Sequence, residues 1–118
     1  MSSKLKENSS NALNLKLLAS CCEVNEVLER ISPRWKVQIL YSIANDFRHF
    51  SQLKKAYPSL SDQVLGKRLA ELVADNLAAK EPVPDTVPPQ TQYSVTRKGQ
   101  ELLAIILDLH RWGKKHNP

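Results

Sequence analysis

The sequence predicts a mostly α-helical protein with one small β appendage, and three observations carry that expectation. Residues 50–77, FSQLKKAYPSLSDQVLGKRLAELVADNL, hold two short amphipathic helical patterns separated by a break at Pro58-Ser59-Leu60. Strand-like patterns follow at 78–83 and 90–96, on either side of the proline-rich stretch VPDTVPPQ. The chain then runs into a long helical pattern from Thr96 onward, with an apolar face.

In chain order, residues 1–11 are rich in Ser, Asn and Lys and predict a disordered tail ahead of one domain over 12–118. A helix is expected from Leu13 to about Ile31, open to a break near Ser20, with Val24, Val27, Leu28 and Ile31 as its stripe. Ser32 is then a cap and Pro33 a first helical residue for the next helix, which carries Trp35, Ile39, Leu40 and Ile43 and stops at Asn45-Asp46. Phe47 to Phe50 reads as a short extended entry into the central pair. There, Phe50, Leu53 and Tyr57 share one face of the first helix. Leu65, Leu69, Leu72 and Val73 line the second, which Ser61 can cap and Asp62 can favour by its charge in the first turn. A short helix, a tight turn and an amphipathic helix with polar groups at its start describe a helix-turn-helix. Two short strands around a proline loop, directly after it, describe a wing over about 78–96. Thr96 can cap the last helix, about 97–116, whose Leu102, Leu103, Ile105, Ile106, Leu109 and Trp112 give more apolar surface than a monomer edge needs. That surplus predicts a homodimer built on this helix, with Leu17 and Leu18 contributing. The competing reading is that the helix covers the domain's own core.

Bulk properties narrow the partner. With 118 residues the chain has room for one core, and its net charge of +5 favours a polyanion. No apolar run approaches the roughly 20 residues of a membrane span, and the start lacks a signal-peptide pattern, so a cytoplasmic protein is expected. The adjacent pair Cys21-Cys22 makes no disulfide framework. His49, His110 and His116 lack zinc-ligand spacing, and no nucleophile–base motif or phosphate loop is present. Neither a metal, a cofactor nor an enzyme activity is therefore expected.

A basic winged helix points to double-stranded DNA, with the helix over about 61–76 in the major groove. Ser61, Asp62, Gln63, Lys67 and Arg68 lie at its start, where a recognition helix meets base edges. Gln63 can bond adenine in a bidentate way, and Lys67 or Arg68 can reach guanine. Arg48, Lys54, Lys55 and Lys80 are the candidate phosphate contacts, and Gln90 the wing contact. Arg68 can equally turn inward. The alternative to a DNA reader is a protein-interaction module with a solvated charged face.

From Cys22 to about His116 the chain resembles the HxlR-type winged-helix transcriptional regulators. The resemblance rests on Trp35 in SPRWKVQILYSI, on the Leu65, Leu69, Leu72 spacing, and on Pro88, Pro89, Tyr93, Thr96 and Gly99 in VPPQTQYSVTRKG. It implies a non-catalytic homodimer that binds an inverted repeat and regulates transcription. It also implies that Cys22 is a candidate sensor of a small electrophile or oxidant, although Glu23 and Glu26 disfavour the thiolate such chemistry needs. Three departures stand out: Ser32-Pro33 replaces a Gly-Gly pair, Gly66 stands where Thr or Ser is usual, and Gln90 where Arg or Lys is common.

Overall fold

The computed structural model describes residues 8–117 and, within its first helix, the side chains of residues 12–17 and 23–31. Most of the expected tail and the side chains of Leu18, Cys21 and Cys22 thus lie outside the described residues. In chain order the elements are α1 (Asn8–Ile31), α2 (Lys36–Ala44), α3 (Phe50–Ala56), α4 (Asp62–Ala74), β1 (Ala78–Pro82), β2 (Thr91–Val95) and α5 (Arg97–His116). They fall into two compact units that divide between Pro33 and Arg34.

The first unit is α1. It starts at Asn8 rather than Leu13 and runs without a break past Ser20, since no Pro or Gly interrupts the stretch. Its stripe residues Val24, Val27 and Leu28 are exposed.

In the second unit the expected start of α2 is corrected. Ser32 does not cap α2; its hydroxyl instead lies 3.4 Å from the Glu29 carbonyl. Helix α2 begins three residues after Pro33, behind Trp35 in a left-handed conformation (φ 75). Such a φ is strained for a bulky residue, and the surroundings hold it there. The Trp35 carbonyl accepts from the Ile39 amide at 2.9 Å. Its ring meets Tyr57 edge-on at 5.8 Å, with the Arg34 guanidinium 5.1 Å from the ring centre. Tyr57 in turn donates to the Gln38 carbonyl at 3.0 Å and so accepts from Ser42 at 2.6 Å.

Two helices end in the same way. After α2, Asp46 takes φ 72 and Phe47 N–H returns to the Ser42 carbonyl at 3.0 Å; after α4, Asn76 takes φ 60 and Leu77 N–H returns to Leu72 at 2.9 Å. Both are Schellman closures made with Asp or Asn in place of glycine, because short polar side chains tolerate this region. The first turns the chain into residues 47–49, which run along β2: Tyr93 N–H donates to the Arg48 carbonyl at 2.8 Å. The second turns it straight into β1.

Helices α2, α3 and α4 bury one face each around Ile39, Leu40, Ile43, Leu53, Leu65, Leu69 and Leu72. Leu77, Ala78, Tyr93 and Leu103 extend this core under the hairpin and α5. Strands β1 and β2 pair antiparallel with Ala78 opposite Val95 and Lys80 opposite Tyr93, as a wing should. Thr96 caps α5, accepting from the Gly99 amide at 3.0 Å. Here the two readings of α5 divide the helix between them. Leu103 is buried and Leu102 packs on the core, whereas Ile105, Leu109 and Trp112 are exposed along one stripe.

At Gly99, α5 lies close against Leu77 and Val95. A Cβ there would run into the Leu77 backbone oxygen and come within 2.7 Å of Val95 Cγ1. Backbone cannot yield as a side-chain tip does, so Gly99→Ala should lower stability by about 1–3 kcal/mol. A urea titration with an unchanged slope and a lower midpoint would register it; a wild-type midpoint would mean that α5 shifts freely.

Candidate nucleic-acid interface

The candidate surface is the outer face of α4. Its periodicity decides the division: Leu65, Leu69 and Leu72 are buried, while Asp62, Gln63, Lys67 and Ala70 are exposed. Ser61 accepts from the Val64 amide at 3.1 Å, so the helix start is capped as expected. Among the described residues the side chains of Gln63, Lys67 and Lys55 have no hydrogen-bond or ion-pair partner, which leaves their polar ends to solvent.

Lys54, Arg68 and Arg48, also assigned to this face, have hydrogen-bond partners within the chain. Lys54 donates to the Leu60 carbonyl and sits 3.4 Å from the Asp62 carboxylate. It closes the turn between α3 and α4 and neutralises the acid at the tip of α4. Arg68 has turned inward. Its Nε donates to the Arg34 carbonyl at 2.9 Å, and one terminal nitrogen lies 3.2 Å from both Glu71 oxygens. Arg48 donates through Nε to the Tyr93 carbonyl at 2.9 Å, which ties the extended entry to the wing. The Lys80 ammonium sits 6.0 Å from the Tyr93 ring centre. Gln90 is exposed, but its main chain closes the wing loop: its carbonyl accepts from Val83 at 2.8 Å and its amide donates to Thr86 Oγ1 at 3.1 Å. The loop over residues 83–90 carries Asp85 and no cation.

Sequence reasoning missed Lys36. It is 4% exposed, and its ammonium lies 2.8 Å from the Asp75 carboxylate and 3.9 Å from Glu71. Lys98 donates to the Asp75 carbonyl at 2.8 Å. Ion pairs thereby join the first turn of α2 to the end of α4, and a hydrogen bond to main chain ties the start of α5 to the same corner. No local signal could reveal this, because the partners stand 35 and 39 positions away along the chain.

Gly66, already set apart in the sequence as a departure, is the second feature of this face. It is the fifth of thirteen residues in α4, a position where glycine costs about 0.5–1 kcal/mol relative to alanine. A Cβ built there meets nothing within 4 Å. Packing within the chain therefore gives no reason for it, in contrast to Gly99.

A helix-turn-helix followed by a β wing, with the second helix presenting a polar face, is a winged helix-turn-helix protein, the architecture of a class of transcriptional regulators. The chain belongs to the HxlR-like helix-turn-helix family, whose model matches residues 30–118. It is 34% identical over 95 residues to the HTH-type transcriptional regulator YdeP of Bacillus subtilis, covering 80% of this chain and 73% of that one. It is 37% identical over 90 residues to the HTH-type regulator BH0655 of Halalkalibacterium halodurans, covering 75% and 79%. Among solved structures, the redox regulator HypR in its oxidized form matches with a TM-score of 0.69 at 32% identity, covering 80% of this chain and 96% of that one.

Removing the Lys36 ammonium should loosen the seat of α4. Lys36→Ala should lose about 1–3 kcal/mol, because the two acids remain partly solvated and are not left as fully buried charges. Lys36→Met should lose less, since it keeps the buried stem. Thermal unfolding of both variants decides between a charge clamp, in which Lys36→Met still melts below the wild type, and simple stem packing, in which Lys36→Met melts as the wild type does and only Lys36→Ala loses stability.

Proposed function

We propose that the chain is a homodimeric, sequence-specific DNA-binding regulator of transcription that acts in the cytoplasm without catalysis. The observation that carries this reading is the division of α4. One face is anchored by three buried leucines, and the opposite face offers Gln63 and Lys67, unpartnered, beside a capped helix start. In the major groove, Gln63 meets base edges, Lys67 reaches guanine or phosphate, and the free amides of the first turn favour phosphate. Lys55 supplies a phosphate contact from α3. Lys54, Arg48 and Arg68 hold the reading surface in shape rather than touching DNA.

The homodimer reading rests on the exposed stripe of Ile105, Leu109 and Trp112 on α5. Two-fold pairing on such a stripe sets two α4 helices about one DNA turn, or a multiple of it, apart on an inverted repeat. A protein-interaction module is the alternative, and salt separates the two: DNA binding weakens steeply with salt, whereas an apolar interface barely responds.

Gln63→Ala should cost about 1–3 kcal/mol on the preferred site and relax base preference at one position per half-site. Lys55→Ala should weaken all sequences alike and flatten the salt slope by about one unit. Fluorescence anisotropy across a salt series measures both. Sedimentation should give about twice the 13.4 kDa chain mass, bound as two protomers per repeat. A persistent monomer would overturn the homodimer, and wild-type binding by both Gln63→Ala and Lys67→Ala with the fold intact would place the recognition surface elsewhere.

A second component of the reading is an oxidant or electrophile as effector. It draws on the likeness to HypR, a redox regulator, and on Cys22, which lies ahead of the matched span. Diamide should then change DNA affinity in the wild type and leave Cys22→Ser unaffected. Equal responses would reduce Cys22 to a non-sensing thiol.

A further inference from the structure

Gln63, Gly66, Lys67 and Ala70 are spaced i, i+3, i+4 and i+7 and so occupy one patch of α4. Gln63, Lys67 and Ala70 are exposed, and at Gly66 a Cβ would enter open space. The patch thus has a bare centre: a main-chain Cα bordered by the Ala70 methyl, with an amide side chain on one flank and an ammonium on the other. The protein forgoes helix stability at this point without gaining any contact of its own. Gly113 is also open, but it lies in the last turn of α5, where the helix frays and glycine is cheaply tolerated.

We propose that Gly66 is a specificity determinant: the notch it leaves, bordered by Ala70, receives the C5-methyl group of a thymine in the major groove. This rests on the reading of α4 as the recognition helix. The chemistry favours a methyl group over a polar base edge. The notch is lined by Cα and Cβ carbons, so a donor or acceptor placed there would stay unpaired, while an apolar methyl gains contact. Gln63 and Lys67 then serve the neighbouring base pairs, since their polar ends project beyond the notch. A side chain at position 66 would fill the space the methyl needs and hold the helix off the groove floor.

The test begins with duplexes selected from a random pool by the wild-type chain. Each thymine in the selected half-site is then replaced by deoxyuridine, which lacks only the methyl. One position per half-site should respond with a loss of roughly fourfold, the worth of one buried methyl group. Gly66→Ala should melt higher by about 4 °C, since it gains helix propensity in open space. It should nevertheless bind the selected site about tenfold more weakly and ignore the deoxyuridine exchange. Wild-type affinity in Gly66→Ala, a lower melting temperature in that variant, or indifference of the wild type to every deoxyuridine overturns the proposal. Failure of the wild type to enrich any sequence overturns it together with the DNA-binding reading, and is distinguishable because no half-site then exists to substitute.

Discussion

The seam between α2 and α4 is the contact on which the rest depends. Ile39, Leu40 and Ile43 from one helix meet Leu65, Leu69 and Leu72 from the other, and all six are almost wholly buried. Each fully buried aliphatic side chain contributes roughly 1.5–3 kcal/mol. A thirteen-residue helix is marginal alone, so α4 exists as a helix largely because this face is covered. Its outer face is consequently free to carry residues chosen for something other than folding.

Charge then refines what the leucines place. A leucine seam tolerates sliding and rotation, because apolar contact is not directional. The polar ties are directional, and they sit at both ends of α4. Lys54 fixes the first turn through the Leu60 carbonyl and Asp62, while Lys36 and Arg68 fix the last turns through Asp75 and Glu71. The same contacts engage these cations within the chain. The net charge of +5 therefore overstates what α4 itself can offer a polyanion, and Lys67 and Lys55 are the nearby cations left uncommitted.

The wing follows a similar economy of parts. It is joined to the helices through the core residues Ala78 and Tyr93 and through hydrogen bonds: Thr96 N–H to Leu77, Tyr93 N–H to Arg48, and the Thr96 hydroxyl to the Asn76 carbonyl at 2.7 Å. The close approach of α5 at Gly99 completes that junction. Its loop carries Asp85 and no cation.

The sequence by itself determined most of the elements and the orientation of each. Leucine spacing assigned the buried face of α4, Ser61 and Thr96 marked two helix starts, and alternation around the prolines marked the two strands. Those are local signals, written within a turn or a strand length, and local hydrogen bonds and burial obey them. Where a local rule could be satisfied in two ways, tertiary contacts decided. Pro33 was compatible with starting α2, but the chain continues to Trp35, whose ring is held by Tyr57 and Arg34. Arg68 could face solvent or turn inward, and the Arg34 carbonyl and Glu71 took it inward. The same holds for Lys36, whose acidic partners are separated from it by two helices. Which cation is structural and which is available is a pairing between distant parts of the chain, and periodicity carries no information about such pairings.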